Sequence, residues 1–256
     1  MRLLFLGDIV GNTGQDAVVK AVPQLRRELA LDCVIANGEN ITGGRGITPR
    51  AADELFSCGV DLISGGNHTF QQREVYDYLD QTPGITRPLN YPPGAPGHGV
   101  ATAGQVTLVN LIGRAFMGGS EYDDPFRAVD GALAGIPAGQ FIIVDIHAEA
   151  TSEKTALGWY LDGRVTAVIG THTHVPTADA RLLRRGTAYC TDAGMCGPRD
   201  SVIGDEIEAV LQRFLTQMPT RLPPAKGVAV LNGLVVEIDD ETGHATGISR
   251  CDRVMD

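Results

Sequence analysis

The sequence has few of the features that mark membrane and exported proteins. No apolar run approaches the roughly 20 residues that a membrane-spanning helix needs, and residues 141–146, one of the longest runs, include an aspartate. The N-terminal segment MRLLFLGDIVG has too short an apolar run before Asp8 for an export signal. The five cysteines are odd in number and include no C-x-x-C pair, which fits a reducing compartment. We therefore predict a cytoplasmic protein without membrane contact.

Positive charge and the common nucleotide-binding motifs are also scarce. Acidic residues outnumber basic residues 31 to 21, and the net charge of −10 is unfavourable for stable binding of duplex nucleic acid. The first turn does not match G-x-G-x-x-G, and neither G-x-x-x-x-G-K-[ST] nor G-x-S-x-G occurs. The sequence thus lacks the fingerprints of dinucleotide binding, P-loop chemistry and serine hydrolysis. A small phosphorylated substrate stays open, because bound metal ions can reverse the local field.

Short apolar runs alternate with longer amphipathic segments, which is typical of α/β proteins. The pattern predicts strands at residues 3–6, 33–36, 62–64, 141–146 and 165–169, and helices at residues 13–29, 50–58, 73–80, 125–133, 152–161 and 203–217. Turn signals at Arg185-Gly186 and Asn232-Gly233 predict hairpins over residues 180–192 and 227–238. We expect one domain, residues 1–256, of mixed α/β type with two sheets between helical layers.

Polar side chains collect where the predicted strands end, which is the edge at which open α/β sheets place their sites. The strand-end segments are Gly7-Asp8, Asn37-Gly38-Glu39-Asn40, Gly65-Gly66-Asn67-His68, His147-Ala148-Glu149 and Gly170-Thr171-His172-Thr173-His174. Taken singly, a strand-end aspartate is more often a helix cap, and a lone histidine is more often a hydrogen-bonded core residue. Taken together, these carboxylates, amides and imidazoles form a mixed nitrogen and oxygen ligand set suited to Mn, Fe or Zn.

Six motifs between residues 7 and 198 carry a resemblance to a known family. They are GDIVG, NGEN, GGNH, DIHAEATSEK, GTHTHVPTAD and DAGMCGP. The chain resembles the calcineurin-like metallophosphoesterases, specifically the bacterial YmdB-type cyclic-nucleotide phosphodiesterases. GNH with a later GTHTH is typical of the superfamily, whereas NGEN and DIHAEATSEK are typical of this branch. The resemblance implies a four-layer αββα sandwich, with two mixed sheets flanked by helices, and a two-metal centre at one sheet edge.

The resemblance also implies which residues hold each ion. One ion would be bound by Asp8, Glu39, Asn40 and His174, and the other by Glu39, Asn67, His147 and His172. Glu39 would bridge the two. The ions would be divalent or of mixed valence, with Fe or Mn favoured and Zn as an alternative.

Two positions depart from the wider pattern. Many superfamily members have a histidine ligand at the position of Val10, and here the NGEN segment supplies ligands instead. His68 matches the family's proton donor, but Gln71 follows the GNH motif where the branch often has an acidic residue. What orients His68 is therefore left open by the sequence.

The implied reaction is hydrolysis of a small phosphodiester, a 2′,3′-cyclic or also a 3′,5′-cyclic nucleotide. A metal-bridging hydroxide would attack, and His68 would act as general acid. Two alternatives stay open: a phosphomonoesterase, and a metal- and nucleotide-binding regulatory protein with little turnover. Loops at residues 117–119 and 192–195 are expected at the rim of the site, and Arg45 is given no role because an arginine in an exposed glycine-rich loop is more often solvated. A homo-oligomer is compatible with the fold.

Overall fold

A computed structural model describes residues 1–118 and 121–255, so Gly119 of the expected rim loop lies outside the described residues. Within those residues the chain forms six helices and fourteen strands. The helices are α1 (Gly11–Glu28), α2 (Pro49–Cys58), α3 (Val75–Gln81), α4 (Pro125–Gly135), α5 (Thr151–Leu161) and α6 (Ile207–Thr216). The strands are β1 (Arg2–Val10), β2 (Cys33–Asn40), β3 (Leu62–Ser64), β4 (Val100–Ala103), β5 (Val106–Ile112), β6 (Phe141–His147), β7 (Ala167–Thr171), β8 (Arg181–Leu182), β9 (Ala188–Cys190), β10 (Met195–Pro198), β11 (Ala229–Leu231), β12 (Gly233–Ile238), β13 (Ala245–Arg250) and β14 (Arg253–Met255).

The strands form two mixed sheets. In the first sheet the order is β13-β12-β1-β10-β11-β14, and β2 and β3 extend it from the other side of β1. In the second sheet the order is β4-β5-β6-β7-β9-β8, with β5, β6, β7 and β9 parallel. The parallel strands β1, β2 and β3 of the first sheet and β6 and β7 of the second deliver the predicted site residues from their carboxyl ends.

Alternating side chains on the central strands separate the core into three layers. Leu3 and Phe5 of β1 pack between the two sheets, whereas Leu4 and Leu6 pack beneath the helices α1 and α2. A third apolar cluster lies between the second sheet and the helices α4 and α5. This alternation is the period of two that a strand buried on both faces requires. The result is the four-layer αββα sandwich that was predicted.

The hairpin predicted over residues 227–238 is wrong. The strand β11 pairs with β10 and β14, and β12 pairs with β1 and β13, so the two strands are not partners. They run in the same direction, because each is antiparallel to one of the parallel strands β1 and β10. Asn232 joins them: its N–H donates to Met195 O at 3.1 Å, and its carbonyl accepts from Gly7 N–H at 3.1 Å. The other predicted hairpin is confirmed, since β8 and β9 are antiparallel.

The last predicted helix begins later than its pattern suggested. Residues 203–206 precede α6, and Val202 and Asp205 instead exchange backbone hydrogen bonds around Ile203, which has a φ of +49°. That turn places Ile203 next to the candidate site.

All five cysteines are unpaired. Among the residues described, no helix has the length and apolar character needed to cross a membrane.

Candidate metal centre

The predicted site residues meet at one edge of the sandwich. Asp8, Glu39 and Asn40 come from the ends of β1 and β2, Asn67 and His68 follow β3, and His147 ends β6. His172 and His174 follow β7. Local structure favours this convergence at Asp8, where the register of β1 against β2 shifts and the Asp8 N–H donates to Gly194 O at 3.0 Å.

Three of these residues surround a ring nitrogen of a fourth, His147. His147 Nε2 lies 2.9 Å from Asn67 Oδ1, 3.0 Å from His172 Nδ1 and 3.3 Å from Glu39 Oε1. Ligand atoms of Glu39, His147 and His172 all lie within 4.8 Å of one another. The structure thus brings together the four residues assigned to one ion by the sequence motifs.

The residues assigned to the other ion adjoin this cluster. His174 Nε2 lies 3.0 Å from Asn40 Nδ2 and 3.9 Å from Asp8 Oδ1. The other oxygen, Asp8 Oδ2, accepts a hydrogen bond from His172 N–H at 3.1 Å. Asp8 is completely buried, yet its Oδ1 has no hydrogen-bond partner among the described residues. A buried carboxylate oxygen is rarely left in this state, so Asp8 Oδ1 fits a position that accepts a cation.

Each of the three histidines keeps one ring nitrogen in the cluster and has the other held from outside. The outer contacts are His147 Nδ1 to Thr171 Oγ1 at 2.9 Å, His172 Nε2 to Glu149 Oε2 at 3.4 Å, and His174 Nδ1 to Ile203 O at 2.6 Å. For His147 and His174 the outer acceptor fixes the N–H on that nitrogen and leaves the lone pair on the other, which is how metal-binding histidines are usually oriented.

His68 is held by the residues beside it rather than by an acid after the GNH motif. Its Nδ1 lies 2.8 Å from Asn40 Oδ1 and 3.2 Å from Glu39 Oε1, and its backbone N–H donates to Glu39 Oε2 at 2.9 Å. Gln71 contacts it through the backbone, by a hydrogen bond from its N–H to His68 O at 3.0 Å. Asn40 and Glu39 therefore answer the question that the sequence left open.

The carboxylates of the cluster favour positive charge at its centre. Burial alone would raise the pKa of Glu39, but the charge and hydrogen bond of His147, with those of His68, hold it well below its usual range. Burial would lower the pKa of His147, but Glu39 and Asp8 raise it to about 9. Burial, followed by repulsion from His147, lowers the pKa of His172 to about 3. Cationic charge is stabilised where the predicted ligands meet.

Gly66 leaves the space that the cluster needs. A Cβ at this position would overlap Glu39 Oε2 and His147 Nε2. The orphaned Asp8 Oδ1 and the donor set of imidazole, carboxylate and amide groups fit bound transition-metal ions. The residues that would hold them are those given above: Asp8, Glu39, Asn40 and His174 for one, and Glu39, Asn67, His147 and His172 for the other.

The cluster opens into a cleft of about 290 Å³. Glu39, His68, His172 and His174 line it, and Arg45 stands at its wall. The Arg45 backbone is fixed in place, since Gln72 Nε2 donates to Arg45 O at 2.9 Å. An anionic ligand that reaches the cluster would therefore pass a cationic side chain.

Sequence reasoning missed two buried groups behind the site. Asp145 Oδ1 accepts from Thr171 Oγ1 at 2.7 Å, and so supports the contact of Thr171 with His147; burial raises the Asp145 pKa to about 6. Asp192 is also wholly buried, so the segment 192–195 lies behind the ligand residues and not at the rim as expected. The aspartate within the apolar run of β6 was the available signal for Asp145. Asp192 had no local signal beyond its motif.

The two mixed sheets between helical layers, with the ligand residues at one edge, define a protein of the metallophosphoesterase-like fold. The chain matches the family model of YmdB-like proteins over residues 4–251, and it belongs to that family.

Its relatives extend over nearly the whole chain. It is 45% identical over 255 residues to a 2′,3′-cyclic-nucleotide 2′-phosphodiesterase of Bacillus subtilis, covering 98% of this chain and 96% of that protein. A hypothetical protein from Thermus thermophilus has a solved structure that is 45% identical, with a TM-score of 0.93 and full coverage of both chains. The structure of a novel phosphatase from Mycoplasma pneumoniae is 34% identical, also with a TM-score of 0.93, and covers 100% of this chain and 94% of the other. Two of these three relatives are named as a phosphodiesterase and a phosphatase, which supports a hydrolase.

Proposed function

We propose that this protein is a dinuclear metal-dependent phosphodiesterase that hydrolyses cyclic nucleotides. The proposal is carried by the convergence of unlike donor atoms at two adjoining positions, around His147 Nε2 and around Asp8 Oδ1. Glu39 is the bridge in this proposal, and Fe or Mn are the ions we favour, with Zn as an alternative. Two ions in such a site supply Lewis acidity, which withdraws charge from a phosphoryl group and acidifies water.

His68 supplies the proton that the leaving oxygen needs. Asn40 Oδ1 and Glu39 Oε1 both lie within hydrogen-bond distance of His68 Nδ1, which orients the ring and leaves Nε2 without a protein partner among the described residues. The proton on Nε2 is then free to move to a leaving alkoxide. A positioned general acid of this kind contributes about 100-fold to 10,000-fold to the rate.

The substrate class comes from the Bacillus subtilis relative, whose name specifies 2′,3′-cyclic nucleotides and the 2′ bond. In the proposed reaction the oxygen of water forms a bond to phosphorus and the bond from phosphorus to O2′ breaks. O2′ takes the proton of His68, the proton that the attacking water gives up passes to solvent, from which His68 is reprotonated, and the product is a 3′-phosphate monoester. Hydrolysis of 3′,5′-cyclic nucleotides is a second prediction. We keep the cytoplasmic location, the single domain over residues 1–256, the small-molecule substrate and a homo-oligomer as predictions from the sequence.

The test compares esters that differ in one feature at a time. Purified protein reconstituted with Mn²⁺ is assayed on 2′,3′-cyclic AMP, 3′,5′-cyclic AMP, bis-p-nitrophenyl phosphate and p-nitrophenyl phosphate. We expect cleavage of the 2′,3′-cyclic ester to the 3′-phosphate, and the diester to be preferred to the monoester with the same leaving group. A preference for the monoester would assign a phosphomonoesterase, and metal and nucleotide binding without cleavage would assign a regulatory protein.

A further inference from the structure

Lys154 is a fully buried lysine on α5, close behind the candidate metal centre. Its relative exposure is 0%, and its Nζ donates to Asp192 Oδ2 at 2.7 Å. Asp192 follows β9 and is equally buried. Lysine and aspartate are almost never buried completely unless they are paired. The pair therefore neutralises two charges in the interior, and its geometry shows what else the carboxylate does.

Asp192 also holds the residue between two predicted metal ligands. Its Oδ2 accepts from Thr173 N–H at 3.2 Å and from Thr173 Oγ1 at 2.8 Å. Its Oδ1 accepts from Gly194 N–H at 2.8 Å. Both oxygens are thus used, and the carboxylate reaches the ligand segment through the backbone and side chain of Thr173.

The ligand segment needs this support because its backbone is unusual. His172 has a φ of +98° and His174 a φ of +66°, in the left-handed region that residues other than glycine rarely adopt. Such conformations persist only where the surrounding structure holds them. Thr173 lies between them, and a Cβ on Gly170 would lie 2.9 Å from Lys154 Cδ, so the segment also packs directly on the lysine stem.

We propose that Lys154 and Asp192 are a positioning pair that holds His172 and His174 in place for their two ions. The inference rests on the proposed function, because it takes these histidines as ligands. It accounts for three sequence motifs together: Lys154 lies in DIHAEATSEK, Thr173 in GTHTHVPTAD and Asp192 in DAGMCGP. One carboxylate then sets the placement of a ligand in each half of the centre.

If the Lys154–Asp192 pair had a purely structural role, it would hold α5 against the sheet and would not affect metal binding by His172 and His174. Thr173→Val separates the two roles, since it removes the hydroxyl contact with Asp192 and leaves the buried ion pair intact. Thr187→Val is the matched control. Thr187 is a buried threonine whose Oγ1 donates to Val165 O at 2.7 Å, and it lies before β9, at the strand end opposite the site.

The experiment has two readouts. Calorimetric titration of metal-free protein with Mn²⁺ gives the affinity, and hydrogen–deuterium exchange of the metal-free protein reports on residues 170–176. Loss of an outer contact to a metal ligand typically weakens binding about 10- to 100-fold. We expect that loss in Thr173→Val, together with faster exchange of the segment, and wild-type values of both in Thr187→Val. Lys154→Met, if it folds, is expected to follow Thr173→Val.

Wild-type affinity and wild-type exchange in Thr173→Val would overturn the positioning pair. Equal losses of affinity in Thr173→Val and Thr187→Val would overturn it too, because they would indicate general destabilisation. A wild-type protein that takes up no Mn²⁺ would overturn the proposed function instead. In that case hydrogen–deuterium exchange of residues 170–176 in the metal-free protein still tests whether Asp192 holds the segment. Faster exchange in Thr173→Val alone would support that role, and unchanged exchange would refute it.

Discussion

Gly66→Ala adds one methyl group at the centre of the candidate site. Its Cβ would overlap Glu39 Oε2 and His147 Nε2, so each atom must retreat by about 1 Å to restore ordinary contact. A misplacement of about 1 Å costs on the order of 100-fold in rate, equivalent to about 2.7 kcal/mol of transition-state stabilisation. We expect that loss in kcat on bis-p-nitrophenyl phosphate with Mn²⁺, and weaker Mn²⁺ binding by calorimetry.

Gly131→Ala is the control for this substitution. Gly131 lies within α4, where an added Cβ meets nothing within 4 Å. Alanine there favours the helix by about 0.5–1 kcal/mol relative to glycine, so we expect a slightly higher Tm and unchanged activity. Wild-type activity and Mn²⁺ affinity in Gly66→Ala would refute the claim that the donor atoms need this space.

The other predictions concern the acid, the cleft wall and the support behind His147. His68→Ala is expected to keep its metal and lose about 100-fold to 10,000-fold in kcat, with a larger loss for an alkoxide than for a p-nitrophenolate leaving group; equal losses would argue against a general acid. Arg45→Ala is expected to raise KM by about 2- to 5-fold, the value of an exposed charge pair, and Arg50→Ala is the control. An unchanged KM in Arg45→Ala would show that Arg45 does not contribute to substrate binding. Thr171→Val leaves buried polar partners unpaired, so we expect the free energy of unfolding, measured by denaturant titration, to fall by about 1–3 kcal/mol. We also expect Mn²⁺ affinity, measured by calorimetry, to fall about 10- to 100-fold. Wild-type values of both quantities would contradict this prediction.

Much of the sandwich and the meeting of polar strand ends follows from short-range patterns in the sequence, whereas the assignment of ligands to each ion came from the family resemblance. Runs such as Leu3 to Leu6 alternate between two apolar layers, and a period of two is visible in any strand that is buried on both faces. The carboxyl ends of such strands share one edge, so polar residues after separate runs are expected to meet there. The structure places Asp8, Glu39 and His147 together as this reasoning predicts.

Features that depend on distant partners were not predictable in the same way. Asn232-Gly233 is a strong local turn signal. However, β11 pairs with β10 and β12 pairs with β1, so the two strands run in the same direction and do not fold back on each other. The Lys154–Asp192 pair joins residues 38 positions apart. Nothing in the local composition of either motif indicates that the other supplies its counter-charge. The orientation of His68 likewise depends on Asn40, which lies 28 residues earlier.

The most direct test of the central claim is the number of metal ions per chain in wild-type protein and in Glu39→Gln. Both samples are reconstituted with Mn²⁺, freed of excess metal, analysed for metal content and assayed on bis-p-nitrophenyl phosphate. With Glu39 as the bridge, we predict about two ions per chain in an active wild-type enzyme and loss of both metal and cleavage in the variant. Absence of bound metal in the wild type, or full metal and full activity in Glu39→Gln, would contradict the two-metal centre.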